Sequence, residues 1–112
     1  MRAFFSPDYI SHRPGGDLPF LAFVEYQLER LPAFPDLSCT LEDVIAEGSK
    51  VMVRFIIRGT HLGTFRGLPA TGRKIEMGGI SLERCADGKI AEGWHYSDTL
   101  GMMQQLGMIP SK

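Results

Sequence analysis

The chain has 112 residues, 44% of them hydrophobic and 10% aromatic, enough for one domain spanning 1–112 with a modest core. Twelve Lys and Arg stand against thirteen Asp and Glu, for a formal charge of -1. The basic residues occur singly rather than in stripes, which argues against nucleic acid as a partner. No apolar run approaches the roughly 18 residues of a membrane span, and Met1–Phe5 is too short a lead for a signal peptide, so a soluble, cytoplasmic protein is expected. Cys39 and Cys85 lie far apart with no CxxC and no His at ligand spacing, so both read as buried small apolar residues and no metal site is expected.

In chain order, Ser6-Pro7-Asp8-Tyr9 and Arg13-Pro14-Gly15-Gly16 break the first sixteen residues too often for one helix. From Asp17 to Leu31 the residues Leu18, Leu21, Val24, Leu28 and Leu31 recur at three and four positions, which predicts an amphipathic helix capped by Asp17 and stopped by Pro32. Phe20 and Phe23 widen its apolar face. Leu37–Glu47 and Val51–His61 then read as a hairpin around Gly48-Ser49, with Val51, Val53, Phe55 and Ile57 on one face and Met52, Arg54, Ile56 and Arg58 on the other. After a Gly- and Pro-rich connection, Arg73–Cys85 is a third long strand, in which Gly78-Gly79 suggests a bulge or bend. Asp87-Gly88 is a hairpin turn signal, the following ten residues form a strand, and Ser97 or Asp98 can cap a short helix ending at Gly107. On that strand Trp94, Tyr96 and Asp98 share one parity and His95 the other, so the expectation is an aromatic floor with an acid at its rim and His95 turned outward. Helix first and a meander of long strands afterwards argue for an α+β fold with an antiparallel sheet curled around the helix.

Taken together, Glu42-Asp43-Val44-Ile45-Ala46-Glu47-Gly48, Val51–Arg54, Gly59-Thr60-His61, Gly63, Phe65–Pro69, Thr71-Gly72-Arg73, Asp87-Gly88-Lys89-Ile90, Glu92, Trp94, Asp98 and Gln104-Gln105-Leu106-Gly107 resemble the SnoaL-like polyketide cyclase, or ester cyclase, family. The resemblance runs from about Phe5 to Gly107. It implies the cone-shaped α+β fold of the nuclear transport factor 2-like superfamily, enclosing an apolar pocket. Relatives carry a long helix ahead of the segment matching Phe4–His12, where this sequence has only a few residues, so a cone open at one end is expected. The family implies ring closure by intramolecular aldol condensation without metal or cofactor, with an acidic residue transferring protons. Asp98 matches that acid by its place after the Trp-containing strand, although an Asp there also serves as a helix N-cap with no chemistry at all.

His12, which follows the Asp-Tyr pair, His61 at a strand end, Arg84, Trp94 and Tyr96 are the expected substrate-binding set, each with a plainer structural alternative. Arg84 falls at a pocket position where relatives often carry another residue type. The expected function is a cofactor-independent cyclase or isomerase acting on a small hydrophobic carbonyl compound. Its competitors are a ligand-binding module without catalysis and, more weakly, a hydrolase. A homodimer is expected, because Phe4, Phe5, Phe20 and Phe23 are hard for so short a chain to cover, with the sheet face near Arg54 and Arg58 as the contact.

Overall fold

The computed structural model describes residues 4–109; Met1, Arg2 and Ala3 of the short lead, and the last three residues, lie outside the description. Among the described residues, six strands and two helices occur in the order β1 (Phe5–His12), β2 (Leu18–Pro19), α1 (Phe20–Leu28), β3 (Ser38–Glu47), β4 (Lys50–Thr60), β5 (Lys74–Ala86), β6 (Lys89–Ser97) and α2 (Thr99–Leu106). They build one curved sheet of order β2-β1-β6-β5-β4-β3, the α+β architecture expected from the sequence. The sheet is mixed rather than wholly antiparallel, because β1 runs parallel to β6. No local pattern announces that pairing, since nearly the whole chain separates the two strands.

The broken first segment is a strand with its break absorbed by a bulge. Register on β6 passes from Phe5↔Ile90 to Ile10↔Glu92, which leaves Ser6–Tyr9 out of step, and Pro7, with no N–H to give, sits where no ladder bond is required. Both hairpins close as their turn residues predict. Glu47 pairs with Lys50 around Gly48-Ser49, and Ala86 with Lys89 around Asp87 (φ 54°) and Gly88 (φ 74°), the doubly positive signature of a type I′ turn. Gly78-Gly79 makes no bulge, for β5 keeps continuous register on β4 there. Glycine is needed at 79 for space, since a Cβ would enter the Phe55 ring. The bulge of β5 lies instead between Arg84 and Cys85. Cys39 is exposed on the edge strand and Cys85 half-buried, both free thiols, so neither belongs to the core as expected.

α1 begins three residues later than its sequence pattern and stops at Leu28. Asp17 does not cap it, because its carboxylate accepts from His12 instead, and Pro19 takes the N-cap position with no side-chain bond. The leucine stripe faces outward, with Leu21 63% and Leu28 52% exposed, while Phe23 is buried against the sheet. Aromatic contacts decide this orientation. Phe5, Tyr9, Phe20 and Phe23 pack with ring centroids 4.8 to 6.4 Å apart and cover one another in part, whereas Phe4 stays 68% exposed.

α2 follows its sequence signals closely. Asp98 Oδ1 accepts from Gly101 N–H at 2.9 Å, and at the other end Gly107 (φ 79°) and Met108 donate to Gln104 and Met103 in a Schellman closure. Gln105 fastens the helix to β5 by bonding both N–H and C=O of Glu76. Met102 and Leu106 thereby join Ala33, Phe34, Phe65, Ile75 and Met77 in the main core cluster.

Both helices lie on one face of the sheet. Register places Ser11, Gly93, His95, Glu83 and Met77 on that face, and His12, Trp94, Tyr96, Leu82, Ile80 and Met52 on the other.

Candidate functional site

The residues singled out on β6 divide between the two faces, opposite to expectation. Trp94 and Tyr96 look away from the helices, with Met52, Ile80 and Leu82 around an open apolar hollow of about 330 Å³. The aromatic floor therefore exists, on the face of the sheet away from α1. His95 is the residue that turns inward, its ring 5.5 Å from Phe23 and nearly parallel to it.

On the outer face His12 stacks on Trp94 at 5.2 Å and bridges two carboxylates, Nδ1 to Asp17 at 2.9 Å and Nε2 to Glu92 at 2.5 Å; Arg84 Nε donates to the other Glu92 oxygen at 3.0 Å. Four of the five expected substrate residues, His12, Arg84, Trp94 and Tyr96, thus gather on one surface. The fifth, His61, is fully buried elsewhere against Phe34, where Thr71 N–H donates to its Nδ1 at 3.2 Å and pins the Gly-rich connection to the core. Arg54 and Arg58 pair with Asp43 and Glu76 on the solvated surface.

The helix-facing side carries a second cluster. Ser11 Oγ lies 2.6 Å from His95 Nδ1, and Glu83 Oε1 2.7 Å from His95 Nε2, with only 11% of the His95 side chain exposed. A carboxylate accepts and cannot donate, so Nε2 carries the proton and the Ser11 hydroxyl donates to Nδ1 when the imidazole is neutral. Tyr9 OH and Glu83 Oε2 are buried with no partner. Burial first, and the neighbouring Glu83 charge second, push the Tyr9 phenol well above its ordinary pKa, so it is held as the neutral donor. All three groups converge over Gly93: a Cβ there would meet Tyr9 OH at 2.7 Å, His95 Nε2 at 2.9 Å and Glu83 Oε2 closer still.

A cavity of about 300 Å³ adjoins His95, bounded by Tyr26 of α1, the Arg13–Leu18 connection, Ser97 and Thr99. That is the lower end of the size of small-molecule sites. A wider hollow of about 460 Å³ lies between Asp36, Arg58, Lys74 and Gln105, but Asp36 is bound to Thr60 and Arg58 to Glu76, which leaves little unsatisfied chemistry there. Asp98, spent on its cap, borders a shallow outer depression with Tyr96 and Ile80. Among the described residues no three His, Cys, Asp or Glu side chains are grouped to hold a metal ion.

Sequence reading missed Ser11, Glu83, Tyr9 and Arg13, and turned His95 the wrong way. The available signal was Gly93, because a glycine inside a strand marks a close approach on its own face. Gly93→Ala is expected to force apart the Glu83–His95 bond and to cost about 1 to 3 kcal/mol, the scale of overpacking; urea unfolding at wild-type stability would contradict the crowding.

The outer cluster makes a pH prediction. Hydrogen bonding to Glu92 first, then Asp17, raises the His12 pKa above its ordinary 6.5, while His12 first, then Arg84, lowers that of Glu92 below 4.5. The histidine contribution is full below about pH 6.5 and fades as pH climbs through the raised value; that of Glu92 holds above about pH 4.5 and fades on acidification. Melting temperature is expected to fall from about pH 6 to about pH 8.5 in wild type and to flatten in His12→Gln, an unchanged slope in the variant counting against the pair.

Residues 1–106 match the sequence profile of the SnoaL-like polyketide cyclase family. The chain is 39% identical over 69 residues to the aklanonic acid methyl ester cyclase DnrD of Streptomyces peucetius, a match covering 60% of this chain and 48% of that protein. It spans about half the length of the curated relatives it matches. Its fold is similar to AclR, a proposed hydroxylase from Streptomyces galilaeus, with a TM-score of 0.90, 27% identity and coverage of 98% of this chain and 70% of that one. It also matches IdmH, a proposed polyketide cyclase from Streptomyces antibioticus, with a TM-score of 0.85, 33% identity and coverage of 95% and 84%. This chain belongs to the SnoaL-like polyketide cyclase family, on the nuclear transport factor 2-like α+β fold.

Proposed function

We propose that the protein is a cofactor-independent cyclase or isomerase acting on a small hydrophobic carbonyl compound, with His95 as the proton-transfer group. The observation that carries this is the Glu83–His95–Ser11 chain beside the cavity under α1. With Nε2–H given to Glu83, Nδ1 is the basic nitrogen, and the Ser11 hydroxyl caps it until a substrate C–H takes that place. The proton next to the carbonyl passes to Nδ1, the C–H electrons move into the carbonyl as an enolate, and Glu83 balances the imidazolium. In a cyclisation the enolate carbon bonds to a second carbonyl carbon, and the new alkoxide takes the proton back from His95. A conjugated substrate bears part of the enolate charge itself.

Asp98 supplies a second reading, supported by its sequence match and by the outer hollow it borders beside Tyr96. Asparagine caps about as well as aspartate, so Asp98→Asn tests chemistry without removing the cap. On a panel of enolisable aromatic carbonyl compounds, His95→Asn is expected to lose roughly a hundredfold or more in turnover and Asp98→Asn to stay near wild type. The reverse pattern would move the acid/base role to Asp98, and full turnover in both variants would end it for either residue.

The partner is a second copy of the chain, docked on the outer sheet face. Support comes from the apolar surface of Met52, Ile80, Leu82, Trp94 and Tyr96, where Tyr96 is 57% exposed. Sedimentation is expected to give a dimer at micromolar concentration and a monomer for Tyr96→Glu; a monomeric wild type would remove this contact.

A further inference from the structure

We propose that Arg13 sets the specificity of the cavity beside His95 by receiving a carboxylate on an otherwise aromatic substrate, an inference that rests on reading this cavity as the substrate site. Arg13 follows directly on β1 and lines the cavity together with His95. Its guanidinium carbon stands 4.3 Å from the centre of the Tyr26 ring and 5.5 Å from that of Phe23, the ring on which His95 is also stacked. Phe23 therefore fixes base and guanidinium relative to each other.

Two aromatic rings hold a guanidinium flat and strip water from it, yet supply no hydrogen-bond acceptor in its plane. Arg13 Nε is accordingly buried and unpartnered. Of the nearby acids, Asp17, on the cavity wall, accepts from His12, and Glu83 accepts from His95 through Oε1 while its Oε2 stays unpartnered. Arg30 adds a second cation nearby, 5.4 Å from the same Tyr26 ring. An unsatisfied planar donor between aromatic rings is matched by a carboxylate, which accepts from a guanidinium in two parallel bonds. A neutral ester offers one weaker acceptor. The substrate class is thus an aromatic carbonyl compound bearing a free carboxyl group, whose enolisable carbon is turned toward His95 while the carboxylate is held at Arg13.

Calorimetric titration with 2-naphthoate and methyl 2-naphthoate isolates binding from turnover. Wild type is expected to bind the acid about tenfold or more tightly than the ester at low salt. Arg13→Met keeps an apolar stem against Tyr26 and is expected to reduce the acid to the affinity of the ester without changing the ester. Arg13→Lys, which keeps the charge but loses the planar fork, is expected to fall between, and serves if the Met variant fails to fold. Equal affinities in wild type, a preference retained in Arg13→Met, or no binding of either probe would overturn the inference. His95→Asn separates this from the catalytic reading, since it is expected to lose turnover and retain the preference for the acid. Loss of the preference in that variant would assign the carboxylate to the imidazole and refute the role of Arg13.

Discussion

The period-two alternation of β6 is the constraint from which the rest of the molecule takes its arrangement. The strand lies inside the sheet, parallel to β1 and antiparallel to β5, so each of its side chains must take one face, and a slip of one residue would exchange the two completely. Register sends Gly93 and His95 to the helix side and Trp94 and Tyr96 to the other. With Phe23 stacked on His95, the position of α1 is set, and with it the cavity bounded by Tyr26. The direction of His95 and the placement of the helix are one decision.

Local signals carried most of the fold. Gly48-Ser49 and Asp87-Gly88 close hairpins because a positive φ is needed where they stand, and α2 starts at Asp98 and ends at Gly107 because both caps are written into neighbouring residues. What was not legible depends on contacts distant in sequence. Asp17 looks like a helix cap until His12 is placed beside it by β1, and the leucine stripe looks like the buried face until Phe5 and Tyr9 draw Phe20 and Phe23 inward. The same limit governed the site. Aromatic residues on a strand suggest a ligand platform, so Trp94 and Tyr96 drew the pocket to their own side, whereas the polar chain that reaches the cavity joins Ser11 to Glu83 across two strand pairings.

Two histidines one residue apart in register, His12 paired with Trp94 and His95 next to it, show how environment sets the use of one side chain. His12 lies on the outer face between two carboxylates, with an arginine on one of them, so favourable charge interactions hold its proton and there is little reason for it to move. His95 lies on the inner face between one carboxylate and one hydroxyl, with an aromatic ring against its plane. A single carboxylate and a neutral donor orient the ring while leaving one nitrogen basic, the condition that proton transfer requires.

Gly93 ties that chemistry to packing. A fully packed core would place a side chain there, and the close approach of Tyr9, Glu83 and His95 is possible only because none exists. Two buried polar atoms, Tyr9 OH and Glu83 Oε2, consequently remain unpaired in the interior, a cost of roughly 1 to 3 kcal/mol for each such group. A fold selected for stability alone would relieve that cost with an apolar residue on the strand and a hydrophobic contact to Phe23. Of the three side chains that crowd over Gly93, only His95 reaches the cavity wall. Arg13 is likewise unpaired, since its aromatic neighbours desolvate it without giving it an acceptor. Among the described residues, three of the four buried side-chain atoms without a partner, Tyr9 OH, Glu83 Oε2 and Arg13 Nε, lie on the β1 side of the sheet, the fourth being His61 Nε2 beside Phe34, whereas the outer cluster and the hollow near Asp36 are internally paired. Incomplete pairing at Arg13, more than the size of any hollow, distinguishes the cavity beside His95 from the others.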